Sequence, residues 1–385
     1  MRPYSPVVIA LSGLTALALP MGIGRFAFTP ILPMMQDDAG LSIAAGAWLA
    51  SANYFGTLLG ALFAMVTKIP IPMAIRGGLV IIGVTTLGMG LEDQVSLWVI
   101  LRLFAGFATG WVLPFASAWA LDRLVPLRRP LLNATVFAGY GVGIAAAGGV
   151  CIVLMHLNAN SAQSWVTIGF LSLAGTALVW PIFRPDDTGA SEQGQKPTDR
   201  RRGSYADSVR LVACYGVFGF GYIIPATFLP VMARQAIQDP SIFGWAWPVF
   251  GAAAAASTFA AAGFLGTIGN RALWAFGHIV MAIGVVFPVI WPGIVAIILS
   301  ALLVGSMFTV ITMAGFQEGR EVGGARMIAA MASAFAVGQI VGPIAVSVAV
   351  RADGSFAEAL VIACLLLAGS AWVISQNGYT TASAQ

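Results

Sequence analysis

Twelve apolar runs of 19 to 29 residues dominate the chain, at about 7–35, 44–66, 73–91, 96–121, 131–156, 164–183, 208–232, 241–266, 271–290, 292–316, 325–350 and 356–375. At 1.5 Å per residue, each is long enough as a helix to cross a hydrocarbon core of about 30 Å. Only 9% of the 385 residues are charged and 59% are hydrophobic, whereas soluble domains carry about 25% charge. A chain of this length has too little interior to hide so much apolar surface from water. Its solvent is therefore lipid, where every backbone N–H and C=O must be paired internally. The expectation is an all-α integral membrane protein of twelve transmembrane helices.

One stretch breaks the pattern. Residues 184–207, RPDDTGASEQGQKPTDRRRGSYAD, are polar and charged and cannot bury themselves. They divide the chain into a six-helix bundle at 1–183, a linker loop at 184–207 and a second six-helix bundle at 208–385. The spans at 271–290 and 292–316 are separated only by Trp291, Pro292 and Gly293, which predicts a tight hairpin.

Lys and Arg fix the orientation. With both termini cytoplasmic, fifteen of the nineteen basic residues fall on cytoplasmic segments, two on outer loops (Arg234 and Arg351) and two inside spans (Arg25 and Arg102). Positive charge accumulates on the cytoplasmic side of membrane proteins, so the net charge of +4 reads as topology, with no nucleic-acid partner implied. Cys151, Cys214 and Cys364 lie in apolar segments and suggest neither a disulfide framework nor a zinc site. The first apolar run is too long for a secretory h-region, so no cleaved signal is expected.

The halves repeat. GIGRFAFTPILPMM at 22–35 aligns with GFGYIIPATFLPVM at 219–232, an offset of 197. Beyond the first loop the offset is 199, pairing Gly106 with Gly305, and Gly139 and Gly143 with Gly338 and Gly342. Two copies in one orientation suit a two-bundle transporter.

With these features the chain resembles the major facilitator superfamily over essentially its whole length. GIGRFAFTPILPMMQDDAGLS followed by WLASANYFGTLLGAL resembles, more narrowly, its YbfB/YjiJ-type branch. The resemblance implies the major facilitator fold, two pseudo-symmetric bundles, and the first, fourth, seventh and tenth helices around a central cavity. The superfamily's motif after the second helix is matched by Gly60, Leu62 and Lys68 in GALFAMVTK, but Ala64 replaces its acid. The fourth-helix motif keeps Arg102 and Gly106, with Ala105 for its glutamine. The fifth-helix motif associated with antiporters keeps Gly139 and Gly143 but has Ile144 for proline, whereas GQIVGP at 338–343 carries the full pattern through Pro343.

The two arginines inside spans carry the chemistry. Arg25 lies about 6 Å, and Arg102 about 10 Å, beyond the midpoint of its span toward the outer side. Each costs about 2.5–3.5 kcal/mol at a helix centre, so both should face protein or water. Every Asp and Glu falls in a loop or at a helix end, so no span interior holds a carboxylate. An anionic ligand would supply the missing charge, and the arginine fork suits carboxylate or phosphate. Against this, Arg102 could bond backbone carbonyls or Glu92 or Asp93, and Arg25 could pack on Asn53. Tyr222 is the repeat partner of Arg25 and, by the family architecture, would face it across the cavity.

Trp111, Trp119, Tyr140, Tyr215, Phe218, Met307 and Gln339 are further cavity candidates, each with ordinary packing as the plainer alternative. Pro20, Pro30, Pro33, Pro225 and Pro230 each remove a helix hydrogen bond, as in the broken helices of transporters. The paired glycines allow close helix approach. His156 and His278 read as packed histidines. No catalytic set, phosphate loop or metal cluster appears, so neither an enzyme nor a cofactor is expected.

The sequence thus reads as a monomeric secondary transporter in the cytoplasmic (inner) membrane. It would move a small organic anion by alternating access, bound by Arg25 with Tyr222, Arg102, Trp111, Tyr140, Tyr215 and Gln339. Coupling protons, if used, would travel on Asp37 or Asp38, a histidine, or the substrate. A proton-driven multidrug-type exporter and a non-transporting membrane ligand sensor are the alternatives.

Overall fold

The computed structural model describes residues 4–184, 205–236, 246–262, 268–291, 293–349 and 357–376, and every regular element in them is helical. The helices are α1 (Pro6–Asp38), α2 (Ile43–Val66), α3 (Ile71–Met89), α4 (Val95–Leu124), α5 (Pro130–His156), α6 (Ser161–Val179), α7 (Tyr205–Ala236), α8 (Ala246–Ala262), α9 (Asn270–Ile290), α10 (Ile294–Ala349) and α11 (Ala357–Ser375). Ten helices among the described residues are long and apolar enough to cross a membrane. Large apolar side chains such as Phe170, Leu178 and Trp372 are exposed on their flanks, a surface suited to lipid. Most of the linker loop and Pro292 of the expected hairpin lie outside the described residues.

Local chemistry starts and stops these helices. The Ser5 and Ser42 hydroxyls accept from the backbone N–H groups of Val8 and Ala45, capping α1 and α2. Asn160 and Gln163 form a reciprocal capping box at α6. Its first residue is also held from α1: the Asp38 carboxylate accepts from the Ser161 hydroxyl at 2.7 Å and from its backbone N–H. Asp38 is therefore committed to a helix N-terminus, where a carboxylate is favoured.

Two features depart from the sequence expectation. First, α1 is not a plain α-helix, since its ladder widens to a π-helix over Leu19–Phe26. Second, the loop expected after residue 316 is helical. α10 runs through QEGREV and bends only at Gly324, where φ is 65°. Glycine tolerates that angle at little steric cost, and residues 317–323 contain no proline to stop the helix earlier. The charges that suggested a loop are paired. Glu318 bonds Arg271 at 2.6 Å, Arg320 bonds Asp122 at 2.8 Å, and Glu321 accepts from Asn270 at 3.3 Å.

By contact the helices form two groups. In the first, α1 packs on α4 and α5, α2 and α3 on α4, and α3 on α6. In the second, α7, α8 and α9 pack on α10, and α11 packs on α7 and α9. The groups meet where α5 runs along α8 and where α10 crosses α2 and α4.

Glycines set the spacing. On the α2–α4 face, a Cβ at Gly56 or Gly60 would strike the carbonyl of Leu103 or Phe107. One at Gly106 or Gly110 would strike that of Asn53 or Thr57. Gly139 and Gly143 lie against the carbonyls of Leu14 and Ala18 on α1, and Gly338 lies against that of Gly216 on α7, the repeat counterpart. Between the groups, Gly141 on α5 and Gly251 on α8 abut each other's backbones. Such approach gives dispersion and Cα–H···O contacts, the main attraction available to helices in lipid.

Gly106→Val should therefore force α2 from α4 and abolish a monodisperse folded peak in detergent size-exclusion chromatography. Gly77→Ala, with no atom within 4 Å of the new methyl, should leave the peak intact and raise the midpoint of thermal unfolding. Its helix-propensity gain is about 0.5–1 kcal/mol.

Candidate functional site

The site begins with the break in α1. Pro20 lies within the widened turn and Pro30 four residues beyond it, and both lack N–H groups. In an i to i+5 ladder, the carbonyl of residue 25 would await the N–H of residue 30, which is proline. Arg102 supplies the donors instead. Its Nη1 donates to the Gly24 carbonyl at 3.1 Å and its Nη2 to the Arg25 carbonyl at 3.2 Å. The Asn53 amide donates at 3.1 Å to both the Gly24 and the Arg102 carbonyls. Together Arg102 and Asn53 clamp α1, α2 and α4 at one level. Arg102 is buried, with Phe28 stacked 4.8 Å from its guanidinium carbon. Of the partners considered for it in the sequence, the backbone carbonyls hold it, rather than Glu92 or Asp93.

Arg25 projects from the same turn and is treated differently. It is 3% exposed, and its Nε and Nη2 are buried without a hydrogen-bond partner. Tyr54 lies under the guanidinium at 4.9 Å and Phe26 at 5.6 Å. A cation–π contact returns about 0.5–2 kcal/mol, less than the roughly 2.5–3.5 kcal/mol that a central arginine costs. Among the described residues, the ion pairs join Arg271 to Asp207 and Glu318, and Arg320 to Asp122, all remote from Arg25 along the sequence and at helix ends or the α10 bend. Arg25 is thus a buried cation whose donor nitrogens Nε and Nη2 have no partner.

Arg25 also lines a cavity between the two helix groups. Met21 and Arg25 of α1, Thr57 and Ala61 of α2, Gly110, Leu113 and Pro114 of α4, and Tyr140 of α5 line one side. Tyr215 of α7 and Phe308, Thr312, Phe316, Ala332 and Phe335 of α10 line the other. Rings crowd the second side: Tyr215 stacks on Phe316 at 5.4 Å, and Phe308 meets Tyr140 edge-on at 6.0 Å.

Three of the seven expected binding residues, Arg25, Tyr140 and Tyr215, line this cavity directly. Tyr222 stands behind the wall, 4.5 Å from the Phe308 ring and 6.1 Å from Phe335, within electrostatic reach of Arg25. Gln339 is fully buried one helical turn beyond Phe335. Arg102 and Trp111 do not line it, contrary to expectation. Arg102 is spent on the α1 carbonyls. Trp111 donates to the Ala74 carbonyl at 3.0 Å and packs its ring on Phe63 and Phe107, tying α4 to α3 and α2. Trp119 packs on Phe183 and Phe218 on Phe335, also outside the lining. Sequence reasoning missed Tyr54, Thr57 and the Phe308–Phe316–Phe335 wall. Apolar rings in apolar spans carry no distinguishing signal, but Thr57 and Tyr54 flank Gly56, and the spacing of Gly56 and Gly60 does mark that face.

Of the expected structural and gating positions, Gly60, Gly106, Gly139, Gly143, Gly338 and Gly342 are close-contact points between helices. Pro33 lies inside α1 and Pro30 just beyond its π turn, while Lys68 is exposed past the end of α2. The side chains of Pro230 and Pro343 lie outside the described residues. His278 is buried and accepts the Trp274 indole N–H at 2.9 Å, which fixes it as a packed, neutral ring.

Replacing Arg102 with Gln removes donors from two buried carbonyls. It should cost about 2–3 kcal/mol, the scale of hydrogen bonds from a charged donor, read as a fall in the unfolding midpoint. Arg102→Lys should recover only part of this, because a point charge does not span two carbonyls as the planar fork does.

A family model described as "Uncharacterised MFS-type transporter YbfB" matches residues 17–375. Among curated proteins none matches the chain. Of the solved structures, that of the human organic anion transporter MFSD10 (TETRAN) aligns over 97% of this chain and 100% of its own, with a TM-score of 0.69 and 14% identity. At that identity the likeness is one of fold.

Proposed function

The chain belongs to the YbfB-type family of major facilitator superfamily transporters, and on that footing we propose that it carries a small organic anion across the cytoplasmic membrane by alternating access. The observation that carries this reading is Arg25: a buried guanidinium on the cavity wall with two unpartnered donors and no carboxylate paired with it among the described residues. A carboxylate entering the cavity would satisfy both donors at once and neutralise the charge, which Tyr54 only partly offsets. The structural neighbour is itself titled an organic anion transporter, which agrees with this substrate class.

The full topology follows the same reading. Counting the two arms of α10 separately and adding α8, the ten long apolar helices become twelve spans, six in each of two bundles joined by the 184–207 linker. Lys and Arg then place both termini in the cytoplasm. The Asp122–Arg320 ion pair joins α4 to α10, and so one bundle to the other, at the end where α4 stops and α7 and α9 begin. In this orientation that end is cytoplasmic and closed. Opening it inward requires breaking the pair, while the Arg271–Asp207–Glu318 cluster, wholly within the second bundle, moves as a unit.

Ligand-induced thermal stabilisation in detergent tests the substrate class. Benzoate, lactate and phthalate would be compared with the lipophilic cation tetraphenylphosphonium, on wild type and Arg25→Gln. At least one anion should stabilise wild type, and the variant should bind it about 10- to 100-fold more weakly, matching the loss of charge-assisted bonds. Equal stabilisation of both proteins by the cation alone would replace this reading with a multidrug exporter. Anion binding without counterflow in proteoliposomes would indicate a sensor.

The gate has its own test. Asp122→Asn should raise the cytoplasm-open population, read by modification of a cysteine introduced at the cavity-facing Ala61. The pair is partly exposed and worth at most about 1 kcal/mol, so the change should not exceed about fivefold.

A further inference from the structure

Opposite Arg25, the second helix group holds three more buried polar atoms without partners. They are the Tyr222 hydroxyl and both amide atoms, Oε1 and Nε2, of Gln339, and both residues are fully buried. Helical spacing puts them on the cavity-facing sides of their helices. Tyr215, Phe218 and Tyr222 lie at i, i+3 and i+7 of α7, and Ala332, Phe335 and Gln339 at i, i+3 and i+7 of α10. Tyr215, Ala332 and Phe335 line the cavity, so Gln339 stands about one turn, and Tyr222 about two turns, beyond its lining. Arg25 likewise stands one turn beyond Met21. The internal repeat pairs the same positions, since Arg25 corresponds to Tyr222 at an offset of 197 and Tyr140 to Gln339 at 199. Where the first bundle presents a cation and a phenol, the second presents a phenol and an amide.

An unpartnered buried polar atom costs about 1–3 kcal/mol, and the three here lie on the cavity side of two packed helices, beyond the same end of the lining. A primary amide offers one donor side and one acceptor side, and a phenol can do either. Neither carries charge, so neither would favour a second carboxylate. The group that satisfies them is neutral and both donates and accepts, as a hydroxyl does. Between this end and Arg25 stand the rings of Phe308 and Phe335, which suit a flat, apolar middle.

We propose that Tyr222 and Gln339 form a second, uncharged subsite, and that the substrate is a two-ended monoanion: a carboxylate at Arg25, a planar body between the rings, and a hydroxyl at the far end. This inference rests on the organic-anion reading and narrows it.

The test compares dissociation constants for benzoate and 4-hydroxybenzoate, measured by titrated thermal shift on the full-length protein in detergent. In wild type the hydroxyl should tighten binding about five- to tenfold, the scale of one neutral hydrogen bond. In Tyr222→Phe and Gln339→Leu that ratio should fall to about one. Tyr222→Phe keeps the ring against Phe308, and Gln339→Met serves if the leucine variant does not fold. Equal binding of the two acids to wild type, or a ratio that survives both substitutions, overturns the second subsite while leaving the anion reading intact. So does binding without either benzoate of lactate, which would rule out the planar body, or of phthalate, which would rule out the monoanion. If no anion stabilises wild type, the anion reading itself falls and the second subsite with it.

Discussion

Three helices of the first group are held in register by hydrogen bonds to the carbonyls of Gly24 and Arg25. Lipid offers no donors, so a helix that loses its own ladder must find them in a neighbour. The ladder of α1 widens to π geometry over a glycine-rich turn that contains Pro20 and precedes Pro30, neither of which donates. Arg102 from α4 and Asn53 from α2 make up the shortfall, and the glycines at 56, 60, 106 and 110 let those helices come close enough to do so. Without this clamp there would be no stable break in α1 and no fixed direction for the side chain at position 25.

Two arginines at similar depth therefore have opposite electrostatic fates. The guanidinium of Arg102 donates through Nη1 and Nη2 to two carbonyls and meets an aromatic face, with only its Nε left without a partner. That of Arg25 lines the cavity with aromatic faces nearby, while its Nε and Nη2 have no hydrogen-bond partner. The first neutralises a backbone defect. The second leaves Nε and Nη2 unpaired, the opening that the proposed anion would fill. A site that is incomplete when empty has reason to prefer its occupied state, and this is how binding free energy becomes available to a carrier that must rearrange around its cargo.

The interface between the helix groups suits that rearrangement. Backbone contacts at Gly141 and Gly251 involve no interlocked side chains, so α5 and α8 can tilt against each other without repacking a core. The one described ion pair between the groups, Asp122 with Arg320, is partly solvated and hence weak enough to break. Stronger pairing, with Arg271 held by both Asp207 and Glu318, is kept inside a single group, where it preserves shape.

Much of this was legible in the sequence. Lengths of apolar runs, the polar linker, the constant offset between halves and the absence of carboxylates from the spans all depend on composition and spacing, and lipid enforces those strictly. They were enough to specify a helical membrane protein of two repeated halves and to single out Arg25, Tyr140 and Tyr215, which the cavity brings together. The sequence could not separate Arg25 from Arg102, because both are arginines at comparable depth and only the carbonyls within reach distinguish them. It suggested a loop at 317–323 because charge normally marks a span's end, whereas Asp122, Asn270 and Arg271 from other helices accept those charges. It also gave no sign that Phe308, Phe316 and Phe335 form one wall. Composition and period decide what must be buried. Which buried groups meet, and which are left facing an empty space, is decided only when distant helices pack, because partners for a buried polar atom come from across the fold.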